Sequence, residues 1–389
     1  MRLSFVVPRY GPSIIGGAET AARLLAEHLV EQKRWEVSVL TSCARDFRSW
    51  ENYFPRGDEV INGVRVRRFP VVAGRDPSFE AYSATLLDDP DSVSLEDAER
   101  WVELQGPIVP GLVDEAASSE AEALACYPYL YYPTVRVVGQ VAVPTILHPA
   151  AHDETALHLP VFTGVFTAAD GLVYHTAAER DLVQSLFPVA SHRQLLLGLG
   201  VDDPPAVDGA PVAGAAPYLL CLGRVDRGKG TTLLAGLFSR YKDRHPGPLQ
   251  LVLAGPVVHP PPDHPDIHMI GPVDEPEKWR LLAGAAALVS PSSREAFSLV
   301  IVESWSAGTP VLVNASCAAT VEQCRRSGGG LAFGDFGEFE VAVDRVSGDG
   351  EVRRKLGESG RTYVDRWFRW PRVVDRYARF VEDLVAAHG

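Results

Sequence analysis

The 389-residue sequence is poor in the features that mark disulfide-built, membrane-spanning and polyanion-binding proteins. It has five cysteines, Cys43, Cys126, Cys221, Cys317 and Cys324, an odd set with no CxxC pair. Neither a disulfide framework nor a zinc ribbon is suggested, and a reducing cytosol is the natural compartment. No stretch reaches the roughly 18 consecutive apolar residues of a membrane span. The opening MRLSFVVPRYG lacks the apolar run and small-residue cleavage site of a signal peptide. A cytoplasmic protein is expected, with peripheral contact to the inner face of the membrane left open. Positive charge is also scarce: 37 Lys+Arg against 50 Asp+Glu leave a net −13. Nucleic acid is therefore not an expected partner, because that affinity rests on clustered cations over phosphates. A small phosphorylated ligand needs only one local basic pocket. GxGxxG, GxxxxGK[ST] and HExxH are all absent, so dinucleotide, Walker-type and zincin readings lack support.

What is present is an alternation of short apolar runs and helical periodicity, the pattern of an α/β protein with doubly wound parallel sheets. LSFVVP at 3–8 reads as a buried strand, followed by a glycine loop and a helix in which Ala21, Leu24, Leu25 and Leu29 recur at helical spacing. Strands are also expected at 37–42, 64–70, 143–148 and 171–176. Thr176 and Glu179 stand at capping-box spacing before a further helix. The region 74–125 is irregular and rich in acids and prolines, with one helix expected at SLEDAERWVELQG. Residues 203–217, with four prolines and no apolar periodicity, read as a linker. A second strand and helix series then starts: strands at 218–225, 249–256, 287–292 and 310–314, helices at 231–241, 278–286 and near 298–307. The expected organisation is a first domain over 1–202, the linker, and a second domain over 218–366. A closing helix over about 367–389 carries Val373, Tyr377, Phe380, Val381 and Leu384 on one face.

The strongest chemical signal is PSSREAFSLVIVESWSAGTPVLV at 291–313. Glu295 and Glu303 are eight positions apart around a helix start at Ser298. The N–H groups of Phe297, Ser298, Leu299 and Val300 are the donors that a helix start leaves for an anion such as a diphosphate. GRVDRGKG at 223–230 places Arg224 and Lys229 five residues apart where a strand gives way to a helix. A guanidinium fork and an ammonium there can converge on one diphosphate. Gly16 and Gly17 precede the first helix and allow close backbone approach to a ligand. His148 ends the strand VPTILH, with His152 as its competitor; Pro149 argues against the helix that would align the two imidazoles on a metal. Gly255 and Val273 follow strands of the second half. Asp89-Pro90-Asp91 reads as a solvated acidic loop, so no metal and no other cofactor is expected. Arg65, Arg67 and Arg68 read first as solvent-facing strand residues.

Glu295 to Glu303, EAFSLVIVE, resembles the E-x(7)-E motif of retaining GT-B glycosyltransferases, in particular the large family four, in which the segment usually reads E-x-F-G-L/I-V-x-x-E. Ser298 stands where that pattern has glycine. GRVDRGKG resembles the family's G-R-x(4)-K-G, and the Gly16-Gly17 loop its GG-x-E loop. The resemblance implies two Rossmann-like domains facing a cleft, with the terminal helix crossing back to the first. It further implies a retaining, metal-independent hexosyl transfer from a nucleotide-diphosphate sugar to a hydroxyl acceptor, in glycan or glycoconjugate synthesis. Arg224 and Lys229 would hold the diphosphate, Glu295 and His148 the donor sugar, and Glu303 the ribose, with Gly16, Gly17, Gly255, Val273 and Phe297 to Val300 also lining the donor. The alternatives were a non-catalytic sugar-nucleotide binder and a sugar-nucleotide epimerase of the same fold.

Overall fold

The computed structural model describes residues 1–14, 16–206 and 216–388. Residues 207–215 of the expected linker therefore lie outside the described residues. The chain forms two compact units, Met1–Gly200 together with Trp370–Gly389, and Val201–Arg369.

The first unit is built on eight strands, β1 (Arg2–Val6), β2 (Glu36–Ser42), β3 (Gly57–Ile61), β4 (Val64–Phe69), β5 (Ala123–Cys126), β6 (Thr145–Leu147), β7 (Gly171–Tyr174) and β8 (Arg193–Leu196). Their order is β3-β4-β2-β1-β5-β6-β7-β8. All pairings are parallel except β3 with β4, joined by Asn62-Gly63 with both residues at positive φ. That dipeptide suits a two-residue hairpin whose twist matches the strands. Successive side chains along a strand point to opposite faces. Leu3, Phe5, Ala125 and Val173 thus face one core, while Val6, Leu124, Cys126, Leu147 and Tyr174 face another. The first core is closed by helix Gly17–Lys33, through Ala22, Leu25 and Leu29, and by the final helix Trp370–His388, through Val374, Tyr377, Val381 and Leu384. Gly200 lets the Trp370 indole pack directly on the backbone, since a Cβ there would collide with the ring.

Region 74–125 is more ordered than its composition suggests. It contains helices Phe79–Leu86, Leu95–Gln105 and Pro110–Ala117, and ends in the interior strand β5. Ser94 caps the second of these by accepting from the N–H of Asp97 at 3.1 Å. Four small or apolar residues, ALAC, suffice for β5 because strands β1 and β6 satisfy its backbone on both sides.

The second unit has six strands, all parallel: β9 (Tyr218–Leu222), β10 (Gln250–Ala254), β11 (Ile267–Gly271), β12 (Ala287–Ser290), β13 (Val311–Asn314) and β14 (Gly330–Phe333), in the order β11-β10-β9-β12-β13-β14. The chain winds outward from β9 to β11, then returns to the other side of β9 with β12. In an open parallel sheet the loops on either side of such a reversal diverge, and a crevice forms beyond the carboxyl ends of the strands. The reversal lies between β9 and β12, so the crevice is bordered by the loop after β9, residues 223–230, and the loop after β12, residues 291–298.

Candidate active site

These two loops carry both motifs singled out in the sequence. In the first, Asp226 organises the turn: its Oδ1 accepts from the Lys229 N–H at 2.7 Å and its Oδ2 lies 3.1 Å from Arg224 Nε. Thr231 Oγ1 donates to the Asp226 carbonyl at 2.9 Å. Gly230, at φ 75°, brings the loop against the Pro291 carbonyl, where a Cβ would not fit. Gly255, at φ 145° after β10, packs its backbone on Gly223 in the same way. The sheet ends are thus held together by backbone contacts that only glycine permits. Val273 follows β11 and is half-buried.

On the facing loop, Lys229 Nζ donates to Glu295 Oε1 at 2.6 Å, with the lysine side chain 39% exposed and the glutamate 16%. Helix Leu299–Ser306 begins immediately after Ser298, which is its N-cap at φ 70°, ψ 85° and makes no side-chain cap hydrogen bond. This left-handed conformation costs an L-residue roughly 1 kcal/mol or more and explains why glycine is usual in the resembling motif. Ser298, Leu299 and Val300 are half-buried. Phe297 turns inward, edge-on to Phe368 with ring centroids 5.3 Å apart, and its carbonyl accepts from Gln323 Nε2. Its side chain is a core residue that fixes the loop.

Glu303 lies inside the helix and is almost wholly buried. Burial pushes its carboxyl above the usual range, opposed by Lys278, whose Nζ donates to Oε1 at 2.7 Å. Burial alone would lower Lys278, but Glu303 and Glu275 together raise it. The sequence reading missed Lys278. Its only signal was its place on the helix following Val273, because nothing in sequence spacing pairs it with Glu303.

In the first unit, the loop after β1 is shaped by a buried ion pair. Arg9 Nη2 donates to Glu19 Oε1, both side chains less than a tenth exposed. A Cβ on Gly16 would collide with the Glu19 carboxylate, whereas Gly17 has open space around its Cα. His148 departs from its expected place at an open strand edge: it is fully buried. Its ring stacks on Tyr127 at 4.0 Å and its Nε2 lies 3.1 Å from Tyr377 Oη of the final helix. Burial, reinforced by neighbouring His175, holds it far below the usual imidazole range, so it is neutral. The correction has a physical cause: the final helix covers the end of β6, which strand periodicity cannot register. His152, on the same loop, is 31% exposed and 3.6 Å from Glu154. Arg68 is a second correction. It is buried, donates through Nη2 to the Tyr10 carbonyl at 3.0 Å and lies 4.2 Å over Phe54, while Arg65 is exposed. Among the described residues no group of three or more His, Cys, Asp or Glu side chains could hold a metal ion, and no helix is long and apolar enough to cross a membrane.

Residues 216–349 match the family model described as glycosyl transferases group 1. Glycogen synthase of Mycobacterium tuberculosis is 24% identical over 97% of this chain and 94% of its own length. The solved structure of sucrose-phosphate synthase from Thermosynechococcus elongatus superposes with a TM-score of 0.73 at 18% identity, covering 99% of both chains. A trehalose-6-phosphate protein from E. coli bound with UDP-2-fluoro glucose does so with a TM-score of 0.71 at 13% identity, again over 99% of both. The family model thus covers both motif loops, which face each other across the sheet reversal, and the solved structures share this chain's fold, the two Rossmann-like units of the GT-B fold.

Proposed function

We propose that the protein transfers a hexosyl group from a nucleotide-diphosphate sugar to an acceptor hydroxyl, with retention of anomeric configuration and without a metal. The observation that carries this reading is the Lys229–Glu295 pair spanning the two loops at the reversal of the second sheet, with Arg224 on the same turn. Lys229 and Arg224 are partly exposed, so an incoming diphosphate can compete for both cations. As the sugar bond breaks, negative charge grows on the leaving diphosphate, and preorganised cations there lower the barrier most. The N–H groups at the start of helix Leu299–Ser306 add to the same field. Glu295, released from Lys229, accepts from donor-sugar hydroxyls, and Glu303, held by Lys278, accepts from the ribose. Gly255 and Val273 border the nucleotide. The leaving phosphate takes the acceptor's proton as its oxygen attacks from the same face. His148, enclosed on all sides, drops out of the ligand-binding set, and His152 is the imidazole available to a ligand on that loop. The UDP-sugar held by the E. coli relative makes UDP-sugars the first donors to try.

Two measurements test this. A thermal-shift series with UDP-, GDP-, ADP- and dTDP-sugars should show one nucleotide stabilising the chain by mass action. With that donor, Arg224→Ala or Lys229→Ala should lower transfer by about a hundredfold; a loss under about tenfold overturns their assignment.

A further inference from the structure

We propose that Glu179 is a positioning residue for the loop after β6: its buried carboxyl fixes the backbone that turns His152 outward, and so acts on a bound ligand through that imidazole. The role of His152 rests on the transfer reading; the brace itself rests on the following geometry. His148, at the end of β6, is enclosed, and its Nε2 lies 3.1 Å from Tyr377 Oη. Four residues later the His152 side chain is 31% exposed. The chain makes this exit through Ala150 at φ 53°. An L-residue keeps that left-handed conformation only where its surroundings impose it, and such points cluster at ligand sites. Glycine, which adopts it freely, is absent from residues 148–152.

Glu179, in the first turn of helix Ala177–Leu186, imposes it. Its Oε1 accepts from the Ala151 N–H at 2.9 Å and its Oε2 from the His175 N–H at 2.7 Å, and Ala150 and Thr176 add backbone hydrogen bonds to the same carboxyl. Successive N–H groups around a left-handed residue form a concave nest for an acceptor, and here the Glu179 side chain fills it. One carboxyl thereby links the loop after β6 to the end of β7. Helix capping alone does not require this, because Thr176 Oγ1 already accepts from the Glu179 N–H at 3.1 Å. Glu179 is only 2% exposed, and a glutamate is rarely sunk so far without a specific partner. The brace continues to the imidazole. Glu154 Oε2 lies 3.6 Å from His152 Nε2, while Glu154 Oε1 accepts from Tyr129 Oη at 2.7 Å. The Tyr129 N–H in turn donates to the Pro149 carbonyl at 3.3 Å. His152 is thus held through its backbone by Glu179 and at its ring by Glu154.

A double-mutant cycle on the whole chain tests this, read as nucleotide release from whichever of UDP-, GDP-, ADP- and dTDP-glucose the parent chain turns over. Glu179→Gln sets an amide NH2 against backbone N–H groups. It should lower kcat at least about tenfold with KM within about twofold, because misplacing a ligand-contacting group costs rate more than binding. In a His152→Ala background the same substitution should cost less than about twofold, since a residue acting through the imidazole has nothing left to lose there. Glycine tolerates the turn unaided, so Ala150→Gly should recover part of the loss in Glu179→Gln. A merely structural carboxyl lowers the melting temperature and leaves kcat of the folded chain intact; that result, or losses that add in the double variant, overturns the proposal. Should Glu179→Gln not fold, Ala150→Pro removes one of the same N–H groups and the left-handed turn while leaving the carboxyl in place. It should show the same non-additivity with His152→Ala, and additive losses overturn the proposal there too. The His152 ring resonances, assigned by their disappearance in His152→Ala, read the brace without turnover. They should shift in Glu179→Gln or Ala150→Pro, and unchanged resonances overturn it. If the parent chain turns over none of the four donors, the transfer reading fails on its own, and the resonances still decide the brace.

Discussion

The two units share one architecture and use its sheet reversal differently. In the second, the charged residues at the reversal form pairs that are partly exposed, Lys229 with Glu295 and Arg224 with Asp226. In the first, the corresponding loops tie down charged and aromatic groups in the interior: Arg9 with Glu19, and His148 with Tyr127 and Tyr377. Exposed pairs in water contribute about 0–1 kcal/mol and are readily exchanged for a ligand's charges. Buried networks resist exchange, because breaking one leaves a desolvated group alone. A parallel sheet with one central reversal thus supports a ligand-responsive site in one unit and a stability element in the other.

The sharpest way to break this contrast is His148→Ala. Removing a buried, stacked ring and leaving Tyr377 Oη unpaired should cost about 3–5 kcal/mol of first-unit stability. Nucleotide binding should not change; denaturant titration followed by calorimetry checks both. Lys229→Ala should do the reverse. Its expected hundredfold loss of transfer corresponds to about 2.7 kcal/mol, with a melting temperature close to that of the parent chain. A thermal collapse in this variant would erase the distinction.

A pH series of thermal melts sharpens the comparison next. His175 is held at about 4 by burial, opposed by the Gly198 carbonyl, and His148 is held lower than usual too, against 6.5 for free imidazole. Both are neutral when folded, so the unfolded chain binds more protons below pH 6.5, and their contribution is lost as pH falls from there toward 4. Glu179 acts with the opposite sign. Burial raises its carboxyl from 4.5 to about 8, against the pull of backbone N–H groups including His175, so stability is lost as pH rises through that window. First-unit stability should therefore peak near pH 6.5, where the histidine limb ends. Glu179→Gln should flatten the alkaline side; an unchanged alkaline limb rules out Glu179 as its source. The smallest effect belongs to Ser298→Gly, which relieves a left-handed serine and should stabilise the second unit by about 1 kcal/mol, read as a small rise in its melting temperature.

Legibility followed sequence distance. EAFSLVIVE and GRVDRGKG are local strings, and the structure places them on facing loops because both follow strands flanking the reversal. The helix after Ser298 and the cap by Thr176, which accepts from the Glu179 N–H at 3.1 Å, are local as well. Strands β3, β5, β8 and β14 are not legible in the sequence because they are short, small-residued or half-exposed, and their pairing partners supply what their own pattern lacks. Asn62-Gly63 was the one available cue for β3.

By itself the sequence determined the alternation of strands and helices, the charge balance, and the spacing of Glu295, Glu303, Arg224 and Lys229. These depend on side-chain periodicity and on neighbours a few residues apart. Only the tertiary structure decided that Lys278 holds Glu303, that Arg68 is buried, and that His148 meets Tyr377, a residue 229 positions away. Burial and pairing at such separations depend on which elements cover a strand end, and that is set by packing across the whole sheet.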